Sequence, residues 1–318
     1  MKKFAIILAL LACHMAAYGQ ESGTEDRRFA VVELSSIYMR IAPDYESALE
    51  TQELMGTVVE ITDEKGYWRE IVSPQPYRAW CTEKGIVEMS QEDIEAYNNA
   101  PKCIFTALYG HIYEKPSADA ATVCDLVGGD ILRTCGKVRY GRDGVMKGRK
   151  WAQVMLPSGK KGWAKAEDLK MHTHFTSIAK GEGDSTSISQ EKMEDIINSA
   201  MTLKGVPYLW GGMSPKGVDC SGLVRWSYLM NGILLPRNAS QMVYCGDEVA
   251  LDSLVRGDLV FFGTPAKDGK PQRVTHVGIY IGNGKIIHAS HLVRVNSLIP
   301  TEEDYYENAH RLIAARRL

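Results

Sequence analysis

Short runs in which apolar and polar residues alternate fill the first half of the chain. Examples that are bounded by turn-forming residues are 31–34, 56–62 and 68–72. Alternation with a period of two indicates half-buried β-strands. This pattern predicts an all-β region, and we divide it into two domains and a linker over 27–98, 102–172 and 173–186.

An internal repeat supports this division. Trp68 and Trp80 in the first half correspond to Trp151 and Trp163 in the second, and both offsets equal 83 residues (151 − 68 and 163 − 80). Each half has the length of one small β-barrel, so the repeat predicts two tandem modules. We call 27–98 module 1 and 102–172 module 2.

Beyond the linker the apolar period changes to that of a helix. Ser187 precedes Gln190 by three residues, which is the spacing of a capping box. Apolar residues then recur on one predicted helix face, as core packing rather than a cofactor site. This stripe consists of Met193, Ile196, Ile197, Ala200 and Met201.

A second apolar helix follows Cys220, and the rest of the chain is typical of strands. The strand-like runs are 257–263, 276–281 and 285–289. Helices followed by strands predict an α+β domain over 187–318.

Composition and charge restrict the class of protein. Hydrophobic residues make up 45% of the chain and charged residues 24%, with a formal net charge of −2. A near-neutral chain lacks the basic excess of a nucleic-acid-binding protein, so no nucleic-acid partner is expected.

The N-terminus has the features of an export signal. Met1-Lys2-Lys3 precedes a short apolar run over 4–12, and small residues before Gln20 suit a signal peptidase. We predict a signal peptide over 1–19 and an exported protein of the periplasm or cell envelope. A lipid anchor at Cys13 is the alternative. No other apolar run is long enough to span a membrane, so no transmembrane segment is expected in the mature chain.

Seven cysteines are present, and their spacing shows neither a dense disulfide framework nor a Cys-x-x-Cys pair. Zinc is disfavoured without paired ligands, and we expect no metal or cofactor. Cys103, Cys124 and Cys135 lie in one segment and could pair in ways that the sequence leaves open. Cys81 and Cys245 are most simply small core residues.

Cys220 is the candidate nucleophile. It lies in Asp219-Cys220-Ser221-Gly222, where a glycine-rich loop meets the start of an apolar helix. Backbone N–H groups at a helix start favour an ionised thiol, so we expect a lowered thiol pKa and a histidine base at His276. The alternative is a buried cysteine of the core.

Two histidines flank the hairpin signal Gly282-Asn283-Gly284. A three-residue loop makes paired residue numbers sum to 566, which places His276 and His288 on one face as diagonal neighbours about 7–8 Å apart at Cα. With a two-residue loop the numbers of paired residues sum to 567, and the two imidazoles project from opposite faces of the hairpin. Catalysis requires the first register. In that register one ring takes the thiol proton, and the second ring orients the first. Otherwise they are two unrelated half-buried histidines.

Six motifs then identify a resemblance, which covers about residue 187 to the C-terminus. They are Tyr208-x-Trp210-Gly-Gly, Asp219-Cys220-Ser221-Gly222, Leu235-Pro236-Arg237-x-x-Ser240, Gly257-Asp258-Leu259, His276-Val277-Gly278 and Ile287-His288-Ala289. In this order they resemble the NlpC-type cell-wall cysteine peptidases. The resemblance implies a papain-like domain, in which the cysteine-bearing helix packs on an antiparallel sheet. It also implies a catalytic triad of Cys220, His276 and His288, with Tyr208 binding the oxyanion.

The two modules resemble bacterial SH3-like domains, although weakly residue by residue. The domain order is similar to that of the γ-D-glutamyl-L-diamino acid endopeptidase branch, also called dipeptidyl-peptidase VI. This implies cleavage after L-Ala-γ-D-Glu in peptidoglycan-derived peptides with a free L-Ala amine. The resemblance implies that Asp219 is the acidic partner of that amine and that Ser221 is a nearby polar contact. The other residues implied at the substrate are Tyr77, Trp210, Ser240 and, as the acidic candidate of module 1, Glu50.

Other interpretations stay open at this point. Tyr77 could pack inside a barrel and Asp219 could only cap its helix, while Arg237 and Asp258 are interpreted as structural. The protein could instead be an endopeptidase or amidase on intact cell wall, held there by the modules. It could also be a wall-binding protein with a vestigial peptidase domain, which the complete set of Cys220, His276 and His288 disfavours.

Overall fold

The structure is a computed structural model that describes residues 27–318, except 75–76, 142–143, 173–174, 179–187 and 268. The predicted signal peptide, Cys13 and most of the predicted linker lie outside the described residues. Within them, two seven-stranded sheets are followed by one six-stranded sheet.

Module 1 contains the first sheet. Its strands are β1 (Arg28–Val32), β2 (Ser36–Arg40), β3 (Leu49–Leu54), β4 (Val58–Lys65), β5 (Trp68–Ser73), β6 (Tyr77–Thr82) and β7 (Ile86–Met89). They are arranged in the order β3-β2-β6-β5-β4-β1-β7. Alternate residues of these strands, such as Ile37, Met39 and Ile71, form a small core of their own. Helix α1 (Gln91–Asn99) follows, capped by Ser90, whose Oγ accepts a hydrogen bond from Asp93 N.

Module 2 contains the second sheet. Its strands are β8 (Lys102–Phe105), β9 (Tyr109–Tyr113), β10 (Thr122–Val127), β11 (Ile131–Thr134), β12 (Trp151–Met155), β13 (Lys161–Lys165) and β14 (Leu169–His172). The order is β10-β9-β13-β12-β11-β8-β14, which is the order of module 1 with every label raised by seven. Trp68 and Trp151 begin the equivalent strands β5 and β12, as the repeat predicts.

The last domain combines helices with the six-stranded sheet. The helices are α2 (Gln190–Thr202), α3 (Cys220–Leu229) and α4 (Ala239–Met242). The sheet has the antiparallel order β19-β24-β20-β21-β22-β23. Its strands are β19 (Asp247–Glu248), β20 (Leu259–Thr264), β21 (Arg273–Gly282), β22 (Lys285–Ser290), β23 (Leu292–Ser297) and β24 (Leu312–Arg317).

Short elements complete the described chain. Two-stranded pairs join β15 (Thr176–Ser177) to β18 (Ile233–Leu234) and β16 (Met213–Ser214) to β17 (Gly217–Val218). Single 3₁₀ turns cover Glu83–Gly85, Ala166–Asp168 and Ala309–Arg311.

Helix α3 is the centre of this domain because all ten of its residues are buried. Its apolar side chains, including Leu223 and Val224, share one core with Val277 and Ile287 of the sheet. A helix that is buried all round needs other elements to cover it on every side. The sheet covers one side of α3, and the two modules help to cover the others, because Leu54 and Val127 belong to the same core.

Helix α2 differs from the prediction at both ends. Its cap is Ser189, whose Oγ accepts from Lys192 N at 3.3 Å, so the helix starts two residues later than a cap at Ser187 would allow. The first four positions of the predicted stripe are buried, but Met201 is 38% exposed, so its assignment to the core was wrong. The buried face continues instead from Ala200 to Leu203, which caps the helix, so Met201 lies beside this face rather than on it.

The six described cysteines are free thiols, and Cys81 and Cys245 are buried as predicted. None of the helices in the described part of the chain has the length and apolar character needed to cross a membrane.

Candidate active site

Cys220 is the first residue of α3, and Asp219 caps that helix. Asp219 Oδ1 accepts a hydrogen bond from Gly222 N at 2.7 Å. A Cβ at Gly222 would lie 2.0 Å from the carbonyl oxygen of Gly212, so only glycine fits between helix and loop. This close contact holds the nucleophile at the start of the helix.

The state of the thiol differs from the sequence-based expectation. Burial raises the pKa of Cys220 to about 11, and the Asp219 carboxylate raises it further, while the backbone N–H groups of Val277 and Ser221 lower it. Loss of hydration therefore outweighs the favourable position at a helix start. The resting nucleophile is a neutral thiol that needs a base during attack.

The hairpin combines the two registers that the sequence left as alternatives. Asn283 and Gly284 have φ values of +52° and +70°, and they form a two-residue turn closed by the pair Gly282–Lys285, whose numbers sum to 567. A bulge between Tyr280 and Gly282 then shifts the ladder, so that Ile279 pairs with Ile287 at a sum of 566. The extra residue restores the register in which His276 and His288 share a face.

The two histidine rings are in direct contact. His276 Nε2 lies 2.8 Å from His288 Nδ1, and the rings are nearly perpendicular at 82°. A Cβ at Gly278 would lie 3.2 Å from the Cβ of His288, so glycine makes room for the second ring. The backbone N–H of Val277, the residue after His276, is close enough to the thiol to lower its pKa, so this part of β21 lies beside Cys220.

Both imidazoles are neutral in the folded protein near pH 7. Burial lowers the pKa of His276 to about 3, helped by the charges of His288 and Arg294. Burial also lowers the pKa of fully buried His288 to about 4, with Asn296 opposing the shift and Arg294 adding to it. A neutral imidazole next to a neutral thiol can accept its proton.

The contacts of His288 extend to residues that the sequence did not single out. His288 Nε2 lies 3.0 Å from Asn296 Oδ1, and Asn296 Nδ2 donates to the carbonyl oxygen of Asp304 at 2.7 Å. Tyr306 packs against both imidazoles, at 4.6 Å from His288 and 5.7 Å from His276 between ring centroids. The only signal in the sequence is a polar residue, Asn296, among the apolar positions of a strand.

Arg237, interpreted as structural from the sequence, organises the loop around the nucleophile. It is 1% exposed and donates to both oxygens of Asp219, at 3.0 Å and 2.5 Å. It also donates to Ser221 Oγ at 2.9 Å and to Thr51 Oγ1 of β3 at 2.6 Å. One buried guanidinium therefore connects the nucleophile loop to module 1.

Module 1 also brings Tyr77 and Glu50 to the site. Tyr77 Oη donates to Glu50 Oε1 at 2.5 Å. Burial raises the pKa of Tyr77 to about 12, the Glu50 bond raises it further, and a hydrogen bond with Asn238 opposes both. A Cβ at Gly211 would lie 2.9 Å from the carbonyl oxygen of Glu50, so the nucleophile's glycine loop packs directly on β3.

The remaining candidates surround this region. Tyr208 is half-buried and pairs with Val218, two residues before Cys220. Burial raises the pKa of Tyr208 to about 12, and the charges of Cys220, once it is ionised, and Asp219 add to the shift. Trp210 is 66% exposed next to the glycine loop. Ser240 is exposed in α4, two residues after Asn238. Tyr77, Glu50 and Tyr208 thus lie around the nucleophile loop, whereas Trp210 and Ser240 are located only by their neighbours in the sequence.

Comparison with known proteins agrees with this geometry. The model of the NlpC/P60 family matches residues 205–314. A γ-D-glutamyl-L-lysine dipeptidyl-peptidase of Bacillus cereus (strain ATCC 10987 / NRS 248) is 29% identical over 266 residues, which are 81% of this chain and 72% of that protein.

A protein of the same name from Bacillus subtilis (strain 168) is 37% identical over 151 residues, and the match spans 47% of this chain and about half, 49%, of that protein. The crystal structure of an NlpC/P60 family protein from Bacillus cereus ATCC 10987 superposes with a TM-score of 0.71 at 24% identity, covering 91% of this chain and 99% of the other. This likeness extends the shared fold over both modules. Residues 205–314, with the thiol and the two histidines, form an NlpC/P60 domain.

Proposed function

We propose that this protein is a cysteine peptidase that hydrolyses the bond between γ-D-Glu and the diamino acid in peptidoglycan stem peptides with a free N-terminal L-Ala. The observation that carries the proposal is the position of Glu50, a carboxylate of module 1 beside Tyr77 at the nucleophile loop. The names of the Bacillus relatives, γ-D-glutamyl-L-lysine dipeptidyl-peptidases, support the same bond.

The charges around the loop favour Glu50 as the partner of the substrate ammonium. Asp219 accepts five hydrogen bonds, from Gly211 N, Gly222 N, Ser221 Oγ and two nitrogens of Arg237. A carboxylate has about four lone-pair positions, so those of Asp219 are filled, and Arg237 balances its charge. Glu50 has no cationic partner among the described residues, and its carboxylate accepts a hydrogen bond from neutral Tyr77.

This arrangement assigns separate roles to the substrate-binding candidates. Glu50 compensates the ammonium charge, and Tyr77 orients the carboxylate of Glu50. Asp219 and Ser221 hold the loop on which the amine rests. Module 1 closes the cleft at this end, so the enzyme measures two residues from the substrate's N-terminus. Trp210 and Ser240 line the sides.

The chemical step uses the neutral thiol and the neutral imidazole. As Cys220 Sγ bonds to the γ-carboxamide carbon, the thiol proton moves to His276 and the carbonyl electrons move to oxygen. The N–H of Cys220 and the hydroxyl of Tyr208 stabilise that oxyanion. His276 then gives the proton to the leaving amine, and water hydrolyses the acyl-enzyme on Cys220.

The proposal is tested by digesting free L-Ala-γ-D-Glu-diaminopimelate beside its N-acetylated form and intact sacculi, with products identified by mass. We expect the free peptide to be cleaved at least about 100-fold better than the acetylated one, because a buried charge without a partner costs several kcal/mol. Glu50→Gln should lose a similar factor on the free peptide. Combined with acetylation it should cost far less than the sum of the two changes.

The controls separate chemistry from recognition. Cys220→Ala should abolish hydrolysis while the fold is retained, since a covalent mechanism has no other attacker. Equal cleavage of free and acetylated peptides would contradict the amine pocket. Preferential cleavage of sacculi would favour the endopeptidase of intact wall. We place the enzyme outside the cytoplasm, where its proposed substrate is released.

A further inference from the structure

We propose that Asn296 is a positioning residue that fixes the tautomers of both histidines, so that His276 presents an unprotonated Nδ1 to the thiol. It belongs to a hydrogen-bonded series that runs from the carbonyl oxygen of Asp304 through Asn296 and His288 to His276. The kinetic part of this inference rests on the proposed peptidase function, but its structural part does not.

The direction of the hydrogen bonds in this series is set at its outer end, at the carbonyl oxygen of Asp304. A backbone carbonyl oxygen only accepts hydrogen bonds. The side-chain atom of Asn296 that lies 2.7 Å from Asp304 O must therefore be the donor Nδ2. The amide oxygen Oδ1 is then directed towards His288 and can only accept.

The protonation of His288 follows from this orientation. Its Nε2 lies 3.0 Å from Asn296 Oδ1, and two acceptors facing each other would repel, so Nε2 carries the proton. A neutral imidazole has one N–H, which leaves Nδ1 of His288 as an acceptor. His288 is neutral because burial lowers its pKa to about 4.

The same reasoning continues to His276. Its Nε2 lies 2.8 Å from His288 Nδ1 and must donate, which leaves His276 Nδ1 without a proton. During attack the S–H bond breaks and an N–H bond forms at Nδ1, while Nε2–H keeps its bond to His288. The imidazolium therefore forms without rearrangement of the series.

Burial protects this arrangement of tautomers from competition by water. His288 is 0% exposed and Asn296 is 8% exposed, so water cannot easily replace the amide as a partner. Tyr306 covers both imidazoles with its ring. If the amide is lost, the His288 proton can move to Nδ1, which forces the proton of His276 onto its own Nδ1. That tautomer cannot accept from the thiol.

The direct test is the ¹⁵N spectrum of histidine-labelled full-length protein near pH 7, because protonated and bare ring nitrogens have distinct shifts. Signals are assigned with His276→Gln and His288→Gln. We expect Nε2–H and bare Nδ1 for both rings in the wild type. A proton on Nδ1 of either ring overturns the inference, and this result needs no substrate, so it is independent of the proposed function.

Variants test the consequence. Asn296→Leu should populate Nδ1–H tautomers and lower kcat by about 10²–10⁴-fold with KM nearly unchanged, as expected for a catalytic histidine in the wrong tautomer. Asn296→Asp keeps an acceptor for His288 Nε2, so it should retain the wild-type tautomers and more activity than Asn296→Leu. The added negative charge should raise the pKa of the histidines and so move the acid limb of the pH profile of kcat/KM to higher pH.

Asn231→Leu is the matched control, because Asn231 is 3% exposed in the same domain and binds Ser227 O at 2.9 Å. It should lower the melting temperature with kcat and tautomers unchanged. Wild-type tautomers in Asn296→Leu would overturn the inference, as would equal kcat losses in Asn296→Leu and Asn231→Leu. If Asn296→Leu does not fold, the wild-type ¹⁵N spectrum and the tautomers and activity of Asn296→Asp test the inference.

Discussion

The two β modules have one strand order but contact the NlpC/P60 domain in different ways. Module 1 contributes buried polar groups from β3: Thr51 to Arg237, Gln52 to Met213 N at 2.9 Å and Glu53 to Arg225 at 2.9 Å. Module 2 accepts one bond from buried Trp226 Nε1 at Gly128 O, 2.6 Å long. Its ion pair, Asp125–Lys216, is exposed and 3.4 Å long.

Their charges also differ in sign. Module 1 has 7 basic and 14 acidic residues (7 − 14 = −7), whereas module 2 has 13 and 7 (13 − 7 = +6). An acidic wall attracts a substrate ammonium and a basic one repels it. In the proposed function, one strand order therefore serves as a substrate wall in module 1 and as support in module 2, because residues on the strands, and not the fold, carry the role.

The largest difference should appear when each module loses its ion pair. Glu53→Ala leaves the Arg225 charge unpaired where both side chains are at most 4% exposed, so we expect about 3–5 kcal/mol of destabilisation. Lys216→Ala breaks the module 2 pair from its exposed partner and should cost less than about 1 kcal/mol, because the pair is solvated and Asp125 keeps its hydrogen bond from Ser35 Oγ. Urea unfolding of both variants checks this, and equal losses would remove the distinction between the interfaces.

A matched pair of tyrosines tests function next. Tyr77→Phe removes the hydroxyl that binds Glu50 and should cost about 1.5–3 kcal/mol in kcat/KM on the free peptide. Tyr109→Phe removes an equivalent bond from module 2 to Pro215 O, 2.8 Å long, and should leave kcat/KM unchanged. Steady-state kinetics with both variants would reject the proposed wall if Tyr109→Phe were the more damaging change.

A smaller effect is expected for the support provided by module 2. Trp226→Phe loses the bond to Gly128 O but keeps most of the apolar contact, so it should lower the free energy of unfolding by about 1–3 kcal/mol. Activity at saturating substrate should stay within about twofold. Calorimetry and kcat together check this, and a large drop in kcat would mean that module 2 takes part in catalysis.

The next prediction moves from the interfaces to the chemical centre between them. Arg294 lowers the pKa of His276 and His288, so Arg294→Met should raise both and shift the acid limb of kcat/KM to higher pH, because His276 must be neutral to accept a proton. The exposed module 2 residue Arg139 supplies the control Arg139→Met. An unshifted acid limb in Arg294→Met would contradict the assignment of His276 as base.

The same histidines make stability depend on pH. Their folded pKa values lie below the value of about 6.5 in the unfolded chain, so the unfolded state binds more protons between these values. The contribution of the two histidines to the free energy of unfolding should be fully present above about pH 6.5. It should decrease as the pH falls towards 4 and 3. Melting temperatures of the wild type and His288→Gln over this range measure the contribution.

The local sequence pattern was sufficient to predict the features that depend on residues close together in the chain. The alternating runs, the repeat and the hairpin at Asn283 and Gly284 were all visible, as was the helix that begins at Cys220. The bulge before Gly282 was not, because nothing in the local sequence marks an extra residue in the ladder.

Tertiary contacts decided the rest. The role of Arg237 depends on Thr51, which lies 186 residues away, and the neutral state of the thiol depends on burial that no single segment determines. Asn296 acquires its role only because Asp304 returns to the end of its strand.

The bulge beside the hairpin also constrains how this gene can change. Hairpin ends usually tolerate insertions and deletions, because length changes there disturb little else. Removing Ile281 would eliminate the bulge but keep the pairs Tyr280–Ile286 and Ile279–Ile287, so the two imidazoles would still share a face. Inserting one residue into β21 without a second bulge would instead move the imidazoles to opposite faces. The hairpin must therefore preserve which face each strand presents, rather than the exact number of residues between His276 and His288.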